Sequence, residues 1–551
     1  MRNSIVLAMF CCLMSVAAIG QAPSVKYSLP FDEPDGLESK VFQVSNGNTM
    51  FFTFTKKEGI NLTIYDSSRR VKVKKELHGT DWEDGSMVGG EVKGIYEMNG
   101  KVVLFLQQVI KKTPMLFRLV IDPVTGVKVE DKKIGELDKY GFGAGYAMAF
   151  GGTDPKTFHI VKDVLSDCYA ICRFDGFASE SEHRIEITHY SGDHREINKA
   201  VYELPAEHSF KYIRYLGMTV HGEQSVFIST YSFNTTSSGG DHSLVLFSRL
   251  NAGSKEFIHR PLKITEDFKE TQAVLQYNSG MKTLDMLLVT LVDTKSKLLS
   301  NKTTSYYMLI HTSLDAETMT VLFSRPVVGE KVSQYAQSVF QMKDGYSGMP
   351  QDLIINPDYT STMTFEEIGT TTTTSSRGSS STTWHLGNIA VLELDGNGKE
   401  TDGYVVRKRQ STSTEVAPMD QHKRSHSYMA FERKIGFMMA ANSGFYSYDF
   451  VSTPTARYVI YNDHRENFFK SGNEKVAGIS GISGTNTICQ KLAGGKAEKF
   501  QLFGNPKDDD KNQFSFINSS HYQREKQTYA VMMISQEGRE KKAKIAWVSF
   551  P

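Results

Sequence analysis

Short runs of apolar and β-branched residues recur along the whole chain. Each ends at an Asp or Asn, crosses a polar turn and gives way to another run. Eight such ends are legible: Leu62–Asp66, Leu116–Asp122, Ala170–Asp175, Leu244–Asn251, Tyr307–Asp315, Ala390–Asp395, Phe445–Asp449 and Phe500–Asn505. Their last residues lie 56, 53, 76, 64, 80, 54 and 56 positions apart. Thr49–Lys56 is an aromatic run of high strand propensity. Val92–Met98 and Lys101–Val109 flank Asn99-Gly100, a pair suited to the positive φ angles of a type I′ hairpin turn. Met115–Asp122 and Val127–Asp131 continue that group across Pro123–Gly126. Comparable groups cover 210–264, 272–325 and 386–409, the last with partner strands upstream.

Small antiparallel sheets repeated at a loose period predict an all-β protein, a β-propeller of four-stranded blades. Each blade leaves an apolar face that only a neighbour can cover, so the array closes into a ring. Seven blades is the first expectation and eight the next; two or three separate β-sandwiches are the competing architecture. Thr528–Ser535 and Lys542–Phe550 are expected to seal the ring against N-terminal strands. Residues 21–551 then form one domain. The Thr- and Ser-rich stretch 369–383 is expected to be a disordered loop, since it has nothing apolar to bury. Ser411–Arg424, the least strand-like stretch, is read as a short helix or an irregular loop.

Residues 1–20 read as an export signal. Arg2 precedes the apolar core Ile5–Val16, and Ala18-Ile19-Gly20 places small residues before a cleavage point at Gln21. The alternative, a retained anchor, needs a run of about 20 apolar residues, more than this core has. No later run approaches that length, so no transmembrane segment is expected after cleavage. Net charge is +1, with basic and acidic residues interspersed. Nucleic-acid binding calls for a basic stripe and is not expected. Cys168, Cys172 and Cys489 remain after cleavage, an odd number. They read as buried thiols, with a bridge from Cys489 to either of the others left open. Asn61, Asn234, Asn301 and Asn518 match the Asn-x-Ser/Thr acceptor pattern.

Two polar groups suggest chemistry. Tyr461–Asn467 follows the strand Ala456–Ile460, and strand ends in a propeller open onto a face. There Asn462, Asp463, His464, Arg465 and Glu466 offer proton transfer, hydrogen bonding or a carboxylate partner. The competing reading is a tight turn whose side chains bond their own backbone. Asp81–Gly85 sets Trp82 beside Glu83 and Asp84, an aromatic platform with acids of the kind that holds sugar rings; paired carboxylates are also what glycoside hydrolysis uses. Solvated surface is the plainer account. Asp395–Lys399 begins like a calcium loop, but Lys399 and Val406 stand at positions that require ligands. Neither Ser480 nor Ser483 falls in nucleophile-elbow register. No zinc-protease, Walker or Cys-x-x-Cys pattern is present, and no metal or cofactor is expected.

The leader ending Gly20-Gln21, the Tyr- and Phe-rich strands and the segment Val459–His464 resemble exported, propeller-like proteins of Bacteroidota. That resemblance implies a periplasmic, outer-membrane-associated or extracellular location. The functional expectation is a non-catalytic binding or scaffold protein that recognises a protein or glycan through its loops. The alternative is a secreted carbohydrate-active hydrolase or lyase with acids on the propeller face. A structural role in a surface assembly is the third possibility.

Overall fold

The computed structural model describes residues 22–34, 38–55, 59–87, 90–144, 154–178, 184–205, 210–234, 242–262, 268–295, 303–374, 379–413, 437–438, 444–508 and 510–551. Residues 1–20, expected to be an export signal, and most of Ser411–Arg424 lie outside these residues, as does Asn301.

After β1 (Ser24–Tyr27) the strands run in fours. β2–β5 are Glu38–Gln43, Thr49–Phe54, Ile60–Tyr65 and Val71–Leu77. β6–β9 are Glu91–Met98, Lys101–Ile110, Thr113–Ile121 and Lys128–Glu136. β10–β13 are Thr157–Lys162, Tyr169–Phe174, Ile185–Tyr190 and Glu196–Val201. β14–β17 are Tyr212–His221, Ser225–Phe233, Ser243–Asn251 and Phe257–Leu262. β18–β21 are Phe268–Asn278, Thr283–Lys295, Thr303–Asp315 and Val321–Pro326. Helix α1 (Glu330–Phe340) leads into β22–β25, Met349–Ile355, Ser361–Thr374, Ser380–Leu394 and Glu400–Val406. The short β26 (Gln410–Thr412) and β27 (Phe437–Met438) pair with β24 and β6. β28–β31 are Tyr448–Ser452, Arg457–His464, Thr485–Ala493 and Lys496–Phe503, and β32–β34 are Lys511–Gln523, Thr528–Glu537 and Glu540–Ser549.

The first six groups of four each form an antiparallel sheet in sequence order. The rest make one eight-stranded sheet in which β30 and β32 meet through a single parallel pair, Asn486 and Gln513. Apolar clusters sit between successive sheets rather than inside any one. Phe52 and Leu62 of β3–β4 pack with Leu104 and Phe117 of β7–β8. Phe105 and Leu116 meet Phe158 and Ile171 through the opposite face of that second sheet. The series continues around the molecule until Val41 and Phe51 meet Ile545 and Trp547. Every sheet is thus covered on both faces by its neighbours, which is the condition for a closed β-propeller. The chain termini share the closing sheet: β1 pairs with β34, Ser24 opposite Ser549 and Tyr27 opposite Ala546.

The Asn99-Gly100 turn has φ values of 47° and 68°, the two positive angles a type I′ turn requires. Five of the eight recurring marks fall on the third strand of a sheet. The others fall on β11, β28 and β31, a second, a first and a fourth strand. That mixing of positions accounts for part of the irregular spacing. The Thr- and Ser-rich stretch needs correction. Thr370–Thr374 pairs in register with Ser380–Trp384 as an extension of the β23–β24 hairpin, leaving only 375–378 outside the described residues. Threonine's branched Cβ favours the extended backbone, and hydroxyls bridge the strands, as between Thr372 and Thr382 at 3.1 Å. Cys168, Cys172 and Cys489 are free and buried. No helix among the described residues is long and apolar enough to cross a membrane.

Candidate axial binding site

The segment expected as a loop after a strand is itself strand. β29 runs through His464, and only Arg465–Phe468 turns away as a 3-10 helix. Asn462 is fully buried. Its Nδ2 donates to the carbonyls of Phe445 and Ser515 at 2.8 Å, and its Oδ1 accepts from Thr487 Oγ1 at 2.8 Å. It braces three strands. Asp463 is buried too, accepting from Asn467 Nδ2 at 2.8 Å, and burial pushes its carboxyl up to about 7. Arg465 donates through Nη2 to Asn512 Oδ1 at 2.8 Å and through Nη1 to the Asp508 carbonyl. His464 and Glu466 keep some exposure, 3.9 Å apart. Much of this polar cluster is therefore engaged in holding the sheet together.

Trp82 lies between β5 and β6, on a different part of the ring. It is 3% exposed and packed in the cluster that holds Ile60, Leu62 and Met87. A sugar ring has no access to an indole buried this way, so the expected platform is a core residue. Asp84 accepts from the Gly79 amide at 2.8 Å and contacts His78 Nδ1 at 2.9 Å. The main chain of Glu83 exchanges two bonds with the Gln108 amide, at 3.1 and 2.9 Å.

The ring instead encloses a cavity of about 690 Å³ along its axis. Strands from five of the sheets line it: Lys40 from β2, Ile95 from β6, Tyr277 from β18, Asp352 from β22, and Asp449 and His521 from β28 and β32 of the eight-stranded sheet. Several of these groups are fixed by partners from other strands. Asp449 Oδ2 accepts from both Tyr529 Oη and Ser520 Oγ at 2.7 Å. Burial, reinforced by the Asp449 carboxylate, holds the Tyr529 phenol well above its usual range, so Tyr529 stays a donor. The Gln43 amide donates to His521 Nδ1 at 3.2 Å. Burial, helped by the Lys40 charge, draws the His521 imidazole down to about 3. The ring is therefore neutral, with its proton on Nε2. Arg524 borders the same cavity and donates to the Ile355 carbonyl at 2.9 Å. The arrangement offers a fixed carboxylate, a neutral imidazole N–H and aromatic walls. Among the described residues no three His, Cys, Asp or Glu side chains gather as a metal would require.

Sequence reasoning passed over these residues because each is a single polar position on a separate strand. Asp449 entered only as the end of an apolar run. The one local signal was His521, set between Ser520 and Tyr522 inside a long strand.

No family model matches the chain, and no curated protein matches it. Among solved structures, the chain is similar to the polysaccharide lyase Uly1, with 8% identity, 87% of this chain and 93% of that one covered, and a TM-score of 0.35. It is also similar to a PL25 ulvan lyase, at 12% identity, 84% and 94% coverage, and a TM-score of 0.34. An endo-arabinanase of Bacillus licheniformis, described as GH43, matches at 11% identity, 52% and 96% coverage, and a TM-score of 0.24.

Proposed function

We propose that this protein is an exported carbohydrate-active enzyme, a hydrolase or lyase whose glycan enters the axial cavity. The observation that carries this reading is the cavity itself. Its 690 Å³ falls in the range of small-molecule sites, and aromatic walls alternate with convergent polar groups, among them the carboxylates Asp352 and Asp449. Sugars present apolar C–H faces and dense hydroxyls, which such a lining complements. Two acids on strands of neighbouring sheets, both lining the cavity, supply carboxylates of the kind that glycosidic bond cleavage uses. Export rests on the leader at residues 1–20 and agrees with the location of the Bacteroidota proteins the chain resembles.

We further propose a ring of eight blades. The eight-stranded sheet divides at its single parallel pair into β28–β31 and β32–β34 with β1, and a separate apolar cluster joins those two halves.

A non-catalytic glycan receptor is the second reading, favoured by the two hydrogen bonds that already occupy Asp449 Oδ2. The test offers a panel of plant and algal polysaccharides to the full chain. New reducing ends report hydrolysis, and an ultraviolet-absorbing unsaturated sugar reports elimination. Turnover that drops at least about 100-fold in both Asp449→Asn and Asp352→Asn is the expected result. Binding without turnover selects the receptor. Neither binding nor turnover removes the glycan reading.

A further inference from the structure

At the mouth of the axial cavity, Tyr359 adopts a conformation unusual for an aromatic residue. It lies in the turn between β22 and β23 with φ of 67°, in the left-handed region that glycine and asparagine favour. The surrounding chain holds it there. Asn278, at the end of β18 in the preceding sheet, donates through Nδ2 to the Tyr359 carbonyl at 2.8 Å. The Tyr359 amide donates to the Asn356 carbonyl at 3.0 Å, and Asn356 in turn bonds Thr360 at 2.8 Å. Two adjacent blades thus fix one tyrosine.

The ring meets the backbone at Gly280. A Cβ at that position would lie 2.2, 2.3 and 2.4 Å from Cγ, Cδ1 and Cδ2 of Tyr359. Near-equal distances to three ring atoms place Gly280 over the face of the ring rather than at its edge. Only glycine allows that approach. One face is therefore covered, while the residue is 48% exposed and lines the cavity. A tyrosine pinned through its backbone, backed on one face and open on the other, is pre-organised to receive a flat apolar partner.

We infer that Tyr359 is a stacking platform for a sugar ring at the cavity mouth, positioned by Gly280 and Asn278. This rests on the glycan reading of the cavity and adds to it the residue that holds the sugar. The C–H face of the sugar packs on the open ring face, and the hydroxyls on its rim turn toward the polar cavity wall.

The test uses the full chain and hexasaccharides of arabinose, xylose, glucose, mannose and galacturonate, titrated by calorimetry in the cold. Tyr359→Asn removes the ring while keeping a residue at ease with positive φ. Gly280→Ala pushes the ring off its backing. Each is expected to weaken the bound hexasaccharide by about ten-fold or more, with melting temperatures near the parent value. Tyr359→Trp should bind within about three-fold of the parent. The native tryptophans Trp82, Trp384 and Trp547 are all buried, so the new indole is the accessible one, and the sugar should shield it from acrylamide quenching. If the parent binds a hexasaccharide and Tyr359→Asn binds it equally well, the platform is overturned and the glycan reading stands. If the parent binds none of the five, both fall.

Discussion

The backbone amide of Gln43, on β2, donates to Nδ1 of His521, on β32 of the closing sheet, at 3.2 Å. Partners this far apart in sequence meet only when the ring is shut. The bond also selects the Nε2–H tautomer, so closure decides which face of the imidazole the cavity sees.

His521 should therefore stay neutral well into acid. Nitrogen NMR of the folded chain at pH 5 is expected to show a neutral ring protonated at Nε2. With the folded value depressed to about 3, this residue contributes stability that is full above its unfolded value near 6.5 and lost as pH falls through 3. His521→Asn, which keeps an acceptor for Gln43, should lessen the acid sensitivity of the melting temperature. A charged imidazole at pH 5 contradicts the assignment.

Asp463 behaves in the opposite sense. Burial raises its folded value to about 7, so its contribution is full below about 4 and declines as pH rises through 7. Asp463→Asn can still accept from Asn467 and the His464 amide. Its melting temperature should match the parent near pH 4 and exceed it at pH 8, where the stability gained is on the order of a few kcal/mol. Equal melting at both pH values would show that the buried carboxyl titrates normally.

Lys408 and Glu366 form an ion pair at 2.6 Å with both side chains fully buried. Lys408 also donates to the Leu386 carbonyl and Gln410 Oε1, each at 3.2 Å, and Glu366 accepts from Ser447 Oγ at 2.6 Å. Lys408→Met leaves the carboxylate buried without its cation and should cost about 3–5 kcal/mol. The double variant with Glu366→Gln should recover most of that loss. A double variant as unstable as the single one would place the cost in packing. Denaturant melts distinguish the two.

Strand β1 supplies the outer edge of the closing sheet. Deleting residues 22–28 strips pairing from Ala546–Ser549 and removes the mutual bonds between Ser28 and Ile545, at 2.9 and 3.0 Å. A bare edge recruits other strands. The truncated chain is expected to melt lower and to associate in light scattering, and adding back the peptide 22–28 should reverse part of both effects.

The hairpins were legible because their signals are local. Asn99-Gly100 fixes a turn by its own φ preferences, and the short β-branched and apolar run of Lys101–Ile110 that follows it reads as a buried strand without reference to the rest of the chain. Trp82 and Asn462 were misplaced for the converse reason. An indole beside acids looks the same in sequence whether the neighbouring sheet covers it or solvent does, and an asparagine near a strand end carries no mark of the strands it will brace.

The amino-acid sequence by itself determined the all-β character, the fours of strands and the closing role of the last two, since turn chemistry and side-chain alternation act over a few residues. The tertiary structure alone decided which polar groups face the axis. Lys40, Asp352, Asp449 and His521 come from four separate strands in three sheets, and only the packing of one sheet's apolar face on the next sets the angle that brings them together.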